Sequence, residues 1–530
     1  MRRIAGPTLV LALGSTLPAR AADLPADPSN YEAQLGQLVA GDTLKLAAGD
    51  YTNGMNLFDM NGEAGKPIVV EGPANGVAKF LGKSGKNTVD IKNSSYLVLR
   101  KLYFDGQGIQ DIDAIKAGGQ ATDFAHHITI EGCTIVGHDG NETNQQTVGI
   151  STKIVAWDWV IRGNVIDGAG TGAYLGNSDG TRAFIGGLIE GNLFKKTLGY
   201  DMQIKHQIDR QQADVPTVPT DDRVTIIRHN VFIKQDLPSP DGLRPNLLTD
   251  GFPDSGPGSN DHYEIYGNFF FHNDGDALFQ GNGRLHIHDN VFVDSKNPAI
   301  RLVNHSGKTV IDALVYNNTI YDTAVGISFG NAPSGTSFVN ANAIFSVSAI
   351  AGFTAGTDNV TGAVADAPSY FANPGKTLGQ MDFFPVSGSA LKGAAYDLSS
   401  VAADADYDRD FNGTQKDFTY RGAYQGEGKN PGWALSAEPK PLPGAAGAGG
   451  GAGSPSGGGG GPSTGGSPSS GGAGVGGSAG SAGSAASSSE DGGGCGCRTV
   501  PDGSQSRGWL LVLALSWVAR RRGRSFARAS

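Results

Sequence analysis

Between residues 190 and 232 the chain gathers side chains suited to holding an anion and moving a proton. EGNLFKKTLGYDMQIKHQ (190–207) carries Asn192, Asp201, Gln203, Lys205 and His206; Arg210 follows, and VTIIRHNVF (224–232) adds Arg228. Removing a proton next to a carboxylate creates an enediolate, which a metal or fixed cations must neutralise. The base must be uncharged at working pH. A lysine reaches that state when cations or burial lower its pKa, and Arg210 and Arg228 are the candidates to do this for Lys205. His206 is a second candidate base, since imidazole titrates near neutrality. The IKH triplet stands out because comparable short segments elsewhere hold small or uncharged residues. Two members of the group also have plainer explanations. Asn192 belongs to a repeated structural position, and Arg228 fills a slot held elsewhere by Arg162, Glu190, Tyr266 and His288.

The element that must position these residues is a repeat. Its copies are VIRGNVI (Asn164), LIEGNLF (Asn192), IIRHNVF (Asn230), EIYGNFF (Asn268), HIHDNVF (Asn290), LVYNNTI (Asn318) and FVNANAI (Asn342). Two earlier copies carry other residues in the Asn slot, TIEGCTI with Cys133 and VLRKLYF with Lys101. Self-similarity at this period, with strand-type alternation, denotes a solenoid. An Asn at each bend can bond its equivalents in the coils above and below. The chain thus resembles a right-handed parallel β-helix, an all-β fold, and Cys133 reads as buried and inert.

Each phrase is followed by a second short strand, from GISTK (149–153) and GAYLGN (172–177) through MQIKHQ (202–207), NLLTDG (246–251), DALFQGN (276–282) and AIRLVNH (299–305) to GISFGN (326–331). Stacked, these are expected to form a second sheet with a polar outward face. On it Gln203, Arg210, Asp250, Gln280, Arg301 and His305 are candidates to bind an extended polymer, beside long loops at 209–222 and 237–261. At the front, Tyr31, Leu35, Leu38 and Val39 fit one face of a short capping helix, with Ser29 or Asn30 as N-cap.

The ends suggest export. Arg2 and Arg3 precede an apolar run and Ala19-Arg20-Ala21, the pattern of a secretory signal over 1–21. The β-helix domain is read over 22–440, and a Gly/Ser/Ala/Pro-rich linker over 441–494. A tail over 495–530 holds Cys495, Cys497, an apolar run from Trp509 to Ala519 and Arg520-Arg521-Arg522. That order of parts resembles the myxobacterial C-terminal sorting signal (MYXO-CTERM), which implies a processed tail and retention at the membrane or cell surface. The apolar run is shorter than the ~20 residues that span a bilayer. Three cysteines exclude a disulfide scaffold. The net charge is −10; seven Arg and one Asp after Cys497 contribute +6, leaving −16 for the rest. An acidic body argues against nucleic acid as a partner. A monomer is expected.

Two further motifs could carry function. Asp408-x-Asp410-x-Asn412-Gly413 begins like a calcium loop, but Thr419 stands where an EF-hand has Glu, leaving a structural calcium or a plain turn. HNDGDALFQGNGRLHIH places Asp274 and Asp276 near His286 and His288. Paired Asp residues on this fold are similar to those of polygalacturonases, where they flank the scissile bond. The other polygalacturonase motifs are missing, and GDA reads as a coil corner. His-x-His shares one strand face and lacks an evident third metal ligand.

Across some 200 residues of coils, and most specifically over about 40, the chain resembles polysaccharide lyase family 6, the chondroitinase B and alginate lyase type. The resemblance implies that Asn192 and acids hold a calcium ion on the substrate carboxylate, that Lys205 removes the C5 proton and that Arg228 assists the leaving oxygen. Here the acids differ, with Asp201 and Gln203 in their region, and His206 stands where the family has Ser. The reading that follows is lyase-like β-elimination on an acidic polysaccharide. Its alternatives are a glycoside hydrolase on the same fold and a non-catalytic carbohydrate-binding or adhesive surface protein.

Overall fold

The computed structural model describes residues 21–140, 147–236, 239, 242 and 244–443. Residues 1–20 of the segment read as a secretory signal over 1–21, most of the segment read as a linker, Cys495, Cys497 and the arginine-rich tail lie outside the described residues.

Strands with apolar residues at alternate positions pair in parallel from coil to coil, forming a right-handed parallel β-helix. It has three faces, where the sequence suggested two. The first sheet runs from Asp23–Ala26 to Ser337–Asn340 and includes Val160–Arg162, Leu188–Glu190, Val224–Arg228, His262–Tyr266 and Gly283–His288. The residues just after each ladder position make a sheet of their own, through Val165–Ala169, Leu193–Thr197, Val231–Ile233 and Phe269–Asn273. The third sheet stacks Val148–Thr152, Thr171–Leu175, Met202–Ile204, Leu247–Thr249 and Phe279–Gly281. The second and third sheets join where Val291–Leu302 and Thr319–Phe329 run through both. The post-Asn strands escaped notice because their apolar residues looked like the tail of the first strand.

The Asn residues form a continuous ladder. Nδ2 of Asn164 donates to Oδ1 of Asn192 at 3.0 Å, and the same bond links Asn192 to Asn230, Asn268, Asn290, Asn318, Asn342 and finally Asn359. Each Oδ1 also accepts the backbone N–H of the preceding ladder residue, starting from Cys133. Cys133 is the buried thiol expected, its pKa pushed up to about 12 by burial. The residue before each rung is left-handed: Gly163, Gly191, His229, Gly267, Asp289, Asn317 and Ala341 all have φ between 52° and 65°. Lys101 has φ 56° and occupies this corner, so the rung position of that copy is Leu102, which is buried. Glycine tolerates the corner, whereas a residue with a Cβ is strained there.

Inside, Phe194, Phe232, Phe270 and Phe292 stack at 4.6–5.2 Å between centroids. Burying each such side chain contributes about 1.5–3 kcal/mol. At the front, the helix is only Tyr31–Leu35. Tyr31 meets Tyr51 edge-on at 5.0 Å, but Val39 is exposed, because the helix ends before it. Asn30 caps nothing through its side chain, which instead accepts from the Asp27 N–H.

The segment 364–443 does not close the end of the solenoid but covers its side. Phe371, Phe383, Phe384, Phe411, Tyr424 and Leu435 pack on Leu193, Val231, Phe269 and Val291 of the second sheet. Tyr396, Leu398 and Val401 pack on Leu314 and Tyr316 of the first. Lys440 is buried beyond them, donating to the carbonyls of Gly267 and Phe411 at 2.6 Å each; burial lowers its pKa far below the usual value. The domain therefore reaches past 440, with Leu442 against Gly191 and Pro443 against Gly413.

Asn268→Ala removes two donors and two accepted bonds at a buried rung. It should lower unfolding free energy by ~1–3 kcal/mol in a urea titration. An unchanged midpoint would mean that the ladder does not hold the coils.

Candidate active site

In the coils between 190 and 345 the closing segment covers much of the first and second sheets, so the third sheet is the face left for a ligand. Register aligns Ser151, Tyr174, Gln203, Leu248, Gln280, Arg301 and Ser328 in one row across the coils; Gln280, Arg301 and Ser328 are partly exposed and the other four are buried. Alternation along the strand puts Asp201, Gln203 and Lys205 on that same face. Lys205 is half-buried, with Nζ 5.5 Å from the centre of the Tyr174 ring, and Lys153 Nζ lies over the same ring. Tyr174 and Lys153 were missed in the sequence; an aromatic at an outward slot among small residues (GAYLGN) was the available signal.

Beyond Lys205 the strand ends turn over a polar cluster. Asp250 is fully buried and accepts from Asn282 Nδ2 at 2.8 Å, with His305 Nδ1 at 2.9 Å from its other oxygen. Burial opposes its charge, but His305, Ser306 and Asn282 outweigh this and keep its carboxyl below the usual range. His206 is half-buried and packs on the glycine turn at Gly180. Its Nδ1 is buried without a hydrogen-bond partner. Burial lowers the His206 pKa; Asp250 opposes the shift, and Lys205, Lys308 and His305 add to it. The imidazole is thus neutral where an exposed histidine would already begin to charge.

At the other end of the strand, Asp201 is fully buried, bonded through Oδ1 to the Thr197 hydroxyl, with Oδ2 unpartnered. Burial pushes its carboxyl up to about 6 despite the opposing charge of Lys234. Both polar atoms of Gln203 are likewise buried and unpartnered, as is Lys234 Nζ. These orphaned atoms mark a buried polar recess, and Gln203, expected on the polymer-binding face, lies in it out of reach of solvent.

Several expectations fail here on geometry. Asn192 cannot serve calcium: it is fully buried and both of its amide atoms are bonded within the ladder. Asp201 is left with Gln203 as its oxygen-bearing neighbour on the strand, far short of the six to eight oxygens that calcium takes. The described donor set does not fit that ion. Arg228 lies on the first sheet, not beside Lys205. It pairs with Glu190 at 2.8 Å, bonds Tyr266 OH at 2.9 Å and reaches Asp406 at 3.3 Å. Burial opposes its charge, but Tyr266 and Glu190 outweigh this and raise its pKa, which makes it a poor acid. Arg210 is buried, paired with Asp261 and bonded to the Pro219 carbonyl, so it fastens loop 209–222 rather than meeting a ligand. The supposed loop 237–261 is interrupted by the strand Leu247–Thr249.

The remaining candidates fall as follows. Gln280 and Arg301 lie in the aligned row and bond each other at 3.3 Å, while Arg301 also pairs with Asp276. Asp274 pairs with Lys296, and Asn273 Oδ1 accepts from the N–H groups of Gly275 and Asp276, so GDA is the coil corner expected. In the 408–413 segment Asp410 accepts the N–H groups of Asn412, Thr414 and Gln425, and Asp408 accepts from Gln415. Asn412 donates to Asn430. The carboxylates there are spent on a turn.

Residues 26–154 match the family model "Chondroitinase B". That stretch ends before the Lys205 coil. Among solved structures, the PL6 family alginate lyase AlyGC aligns at 14% identity over 66% of this chain and 54% of its own, with a TM-score of 0.40. The chain thus spans about half the length of that enzyme. A PL6 family polysaccharide lyase from Pseudopedobacter saltans aligns at 14% identity over 65% and 94%, TM-score 0.40. A pectate lyase aligns at 13% over 79% and 96%, TM-score 0.40. No curated protein matches significantly by sequence. The class the fold defines is a parallel β-helix, in which residues 26–154 are similar to the chondroitinase B family model.

The His206 environment yields a direct check. Its imidazole should titrate below 6.5 in an NMR pH series, staying neutral at pH 6.5. A midpoint at or above 6.5 would show that burial, aided by the cations around it, does not act as described.

Proposed function

We propose that the protein cleaves an acidic polysaccharide by β-elimination on the outer face of its third sheet. The observation that carries this reading is Lys205 beside His206, whose charge burial opposes, at the end of the strand Met202–Ile204 and next to a row that crosses successive coils and is partly exposed at Gln280, Arg301 and Ser328. Coils stack ~4.8 Å apart, so such a row suits an extended polymer. The match to the chondroitinase B model supports the substrate class.

In this reading the Lys205 ammonium faces the uronate carboxylate and steadies the enediolate, a charge-stabilising role that elsewhere falls to a metal. His206 accepts the C5 proton. The C4–C5 double bond forms as the bond from C4 to the leaving oxygen breaks. Tyr174, on the neighbouring strand, delivers the proton that this oxygen takes. Gln280, Arg301 and His305 hold sugars on either side.

Lys205→Ala and His206→Ala should each lower turnover by at least ~100-fold, with circular dichroism unchanged. The assay is the ultraviolet absorbance of the unsaturated product on alginate, chondroitin and pectin. Lys205→Arg separates the roles: it keeps the charge, so it should retain much of the activity if Lys205 is the cation and almost none if Lys205 is the base. Products without ultraviolet absorbance would favour hydrolysis, and affinity without turnover would favour an adhesive protein.

The same proposal includes export by the N-terminal segment and retention at the cell surface through the C-terminal tail. Replacing Cys495 and Cys497 by Ser should shift the protein between cell-surface and soluble fractions of its native host. Identical fractionation would remove the sorting role.

A further inference from the structure

The outer face of the first sheet carries a second constellation, apart from the third-sheet site. His262 and Glu264 sit two residues apart on His262–Tyr266, and His286 faces Glu264 across the strand pair. One ligand atom from each lies within 4.8 Å of the other two. His262 Nε2 and Glu264 Oε1 are 3.4 Å apart. That separation is about the edge of a tetrahedron with ~2.1 Å bonds, the geometry of zinc. The His-x-His of the sequence is not the relevant pair. His288 is fully buried, with its ring stacked on Tyr266 and Tyr316 and its Nδ1 bonded to Asp289.

Groups behind His286 and Glu264 hold these two side chains, and the His262 ring stacks on that of His286 at 4.7 Å between centroids. His286 Nδ1 bonds Asp404 Oδ1 at 2.9 Å, and the other Asp404 oxygen accepts from Tyr316 OH at 2.8 Å. A carboxylate behind an imidazole fixes the tautomer that leaves Nε2 as a lone pair, the support that metal-binding histidines use. Glu264 Oε2 accepts the Ala405 N–H at 3.0 Å, which leaves Oε1 for a ligand. Glu264 is buried, while His262 and His286 keep partial exposure, so an ion can enter from solvent.

We propose that His262, Glu264 and His286 bind one divalent ion of the zinc class. Two nitrogens and one carboxylate oxygen make a set of three, with water as the fourth ligand. Asp404 and Ala405 belong to the segment that wraps the solenoid, so by fixing His286 and Glu264 the ion braces the bonds that hold this segment to the first sheet.

The test uses the full chain with Cys495 and Cys497 changed to Ser, so that tail thiols do not compete. Isothermal titration should find one Zn²⁺ per chain, and Co²⁺ should give visible bands of a nitrogen/oxygen site. Zn²⁺ should raise the melting midpoint by several degrees and slow proteolysis within 396–424. His262→Ala, which leaves the contacts to Asp404 and Ala405 in place, should abolish the binding and the shift while the fold survives. Glu264→Gln, which keeps the bond to Ala405, should weaken binding at least tenfold. Absence of Zn²⁺ binding to the parent, or binding equal in parent and His262→Ala, would overturn the proposal and leave the cluster as paired histidines and carboxylates.

Discussion

From Cys133 to Asn359 the coils of this protein depend on one hydrogen-bonded column. Each ladder amide uses both of its polar atoms on the chain above and below, so each rung is satisfied only when its neighbours are in register. A one-residue slip would leave several buried amide and backbone groups unpaired, at about 1–3 kcal/mol each. That penalty fixes the strands on both sides of the bend, and through them the row on which Gln203, Gln280 and Arg301 stand. The corner before each rung accepts strain at His229 and Ala341 for the same reason.

With register fixed at one edge, the other two edges are free to vary. Rungs lie between 17 and 38 residues apart along the chain, yet the column stays continuous. The surplus appears as loop 209–222, pinned by Val215 and Val218 in a small core of its own and by the buried Arg210–Asp261 pair. Charge placement follows the same division. Glu190, Arg228, Tyr266 and Asp406 lock the wrapping segment to the first sheet, whereas Lys153, Lys205 and His206 gather at the third.

The ladder and the solenoid were legible because they recur: nine phrases with the same alternation leave little freedom. Lys101 misled because one phrase was read a residue early, and only the left-handed corner shows that Leu102 is the rung. The site was less legible. Asn192, Lys205 and Arg228 occur in a suggestive order, but order along a solenoid does not say which face a residue occupies. Arg228 precedes its rung by two residues and so belongs to the first sheet, while Lys205 follows a third-sheet strand. His262, Glu264 and Asp404 could not be joined to His286 from sequence, because Asp404 lies 118 residues away from it and arrives through a segment that doubles back. Arg210 looked like a surface cation because nothing near it in sequence announces Asp261.

The anchorage of Lys440 has a mechanical consequence. The last described turn is fixed by Lys440 at the coils of His229 and Gly267, midway along the solenoid, rather than at its C-terminal end. Tension drawn through the chain beyond residue 443 would enter the molecule from the side. It would load the wrapping segment in shear across several coils at once, instead of unzipping them singly from the end. A solenoid held in this way resists pulling in parallel rather than in series.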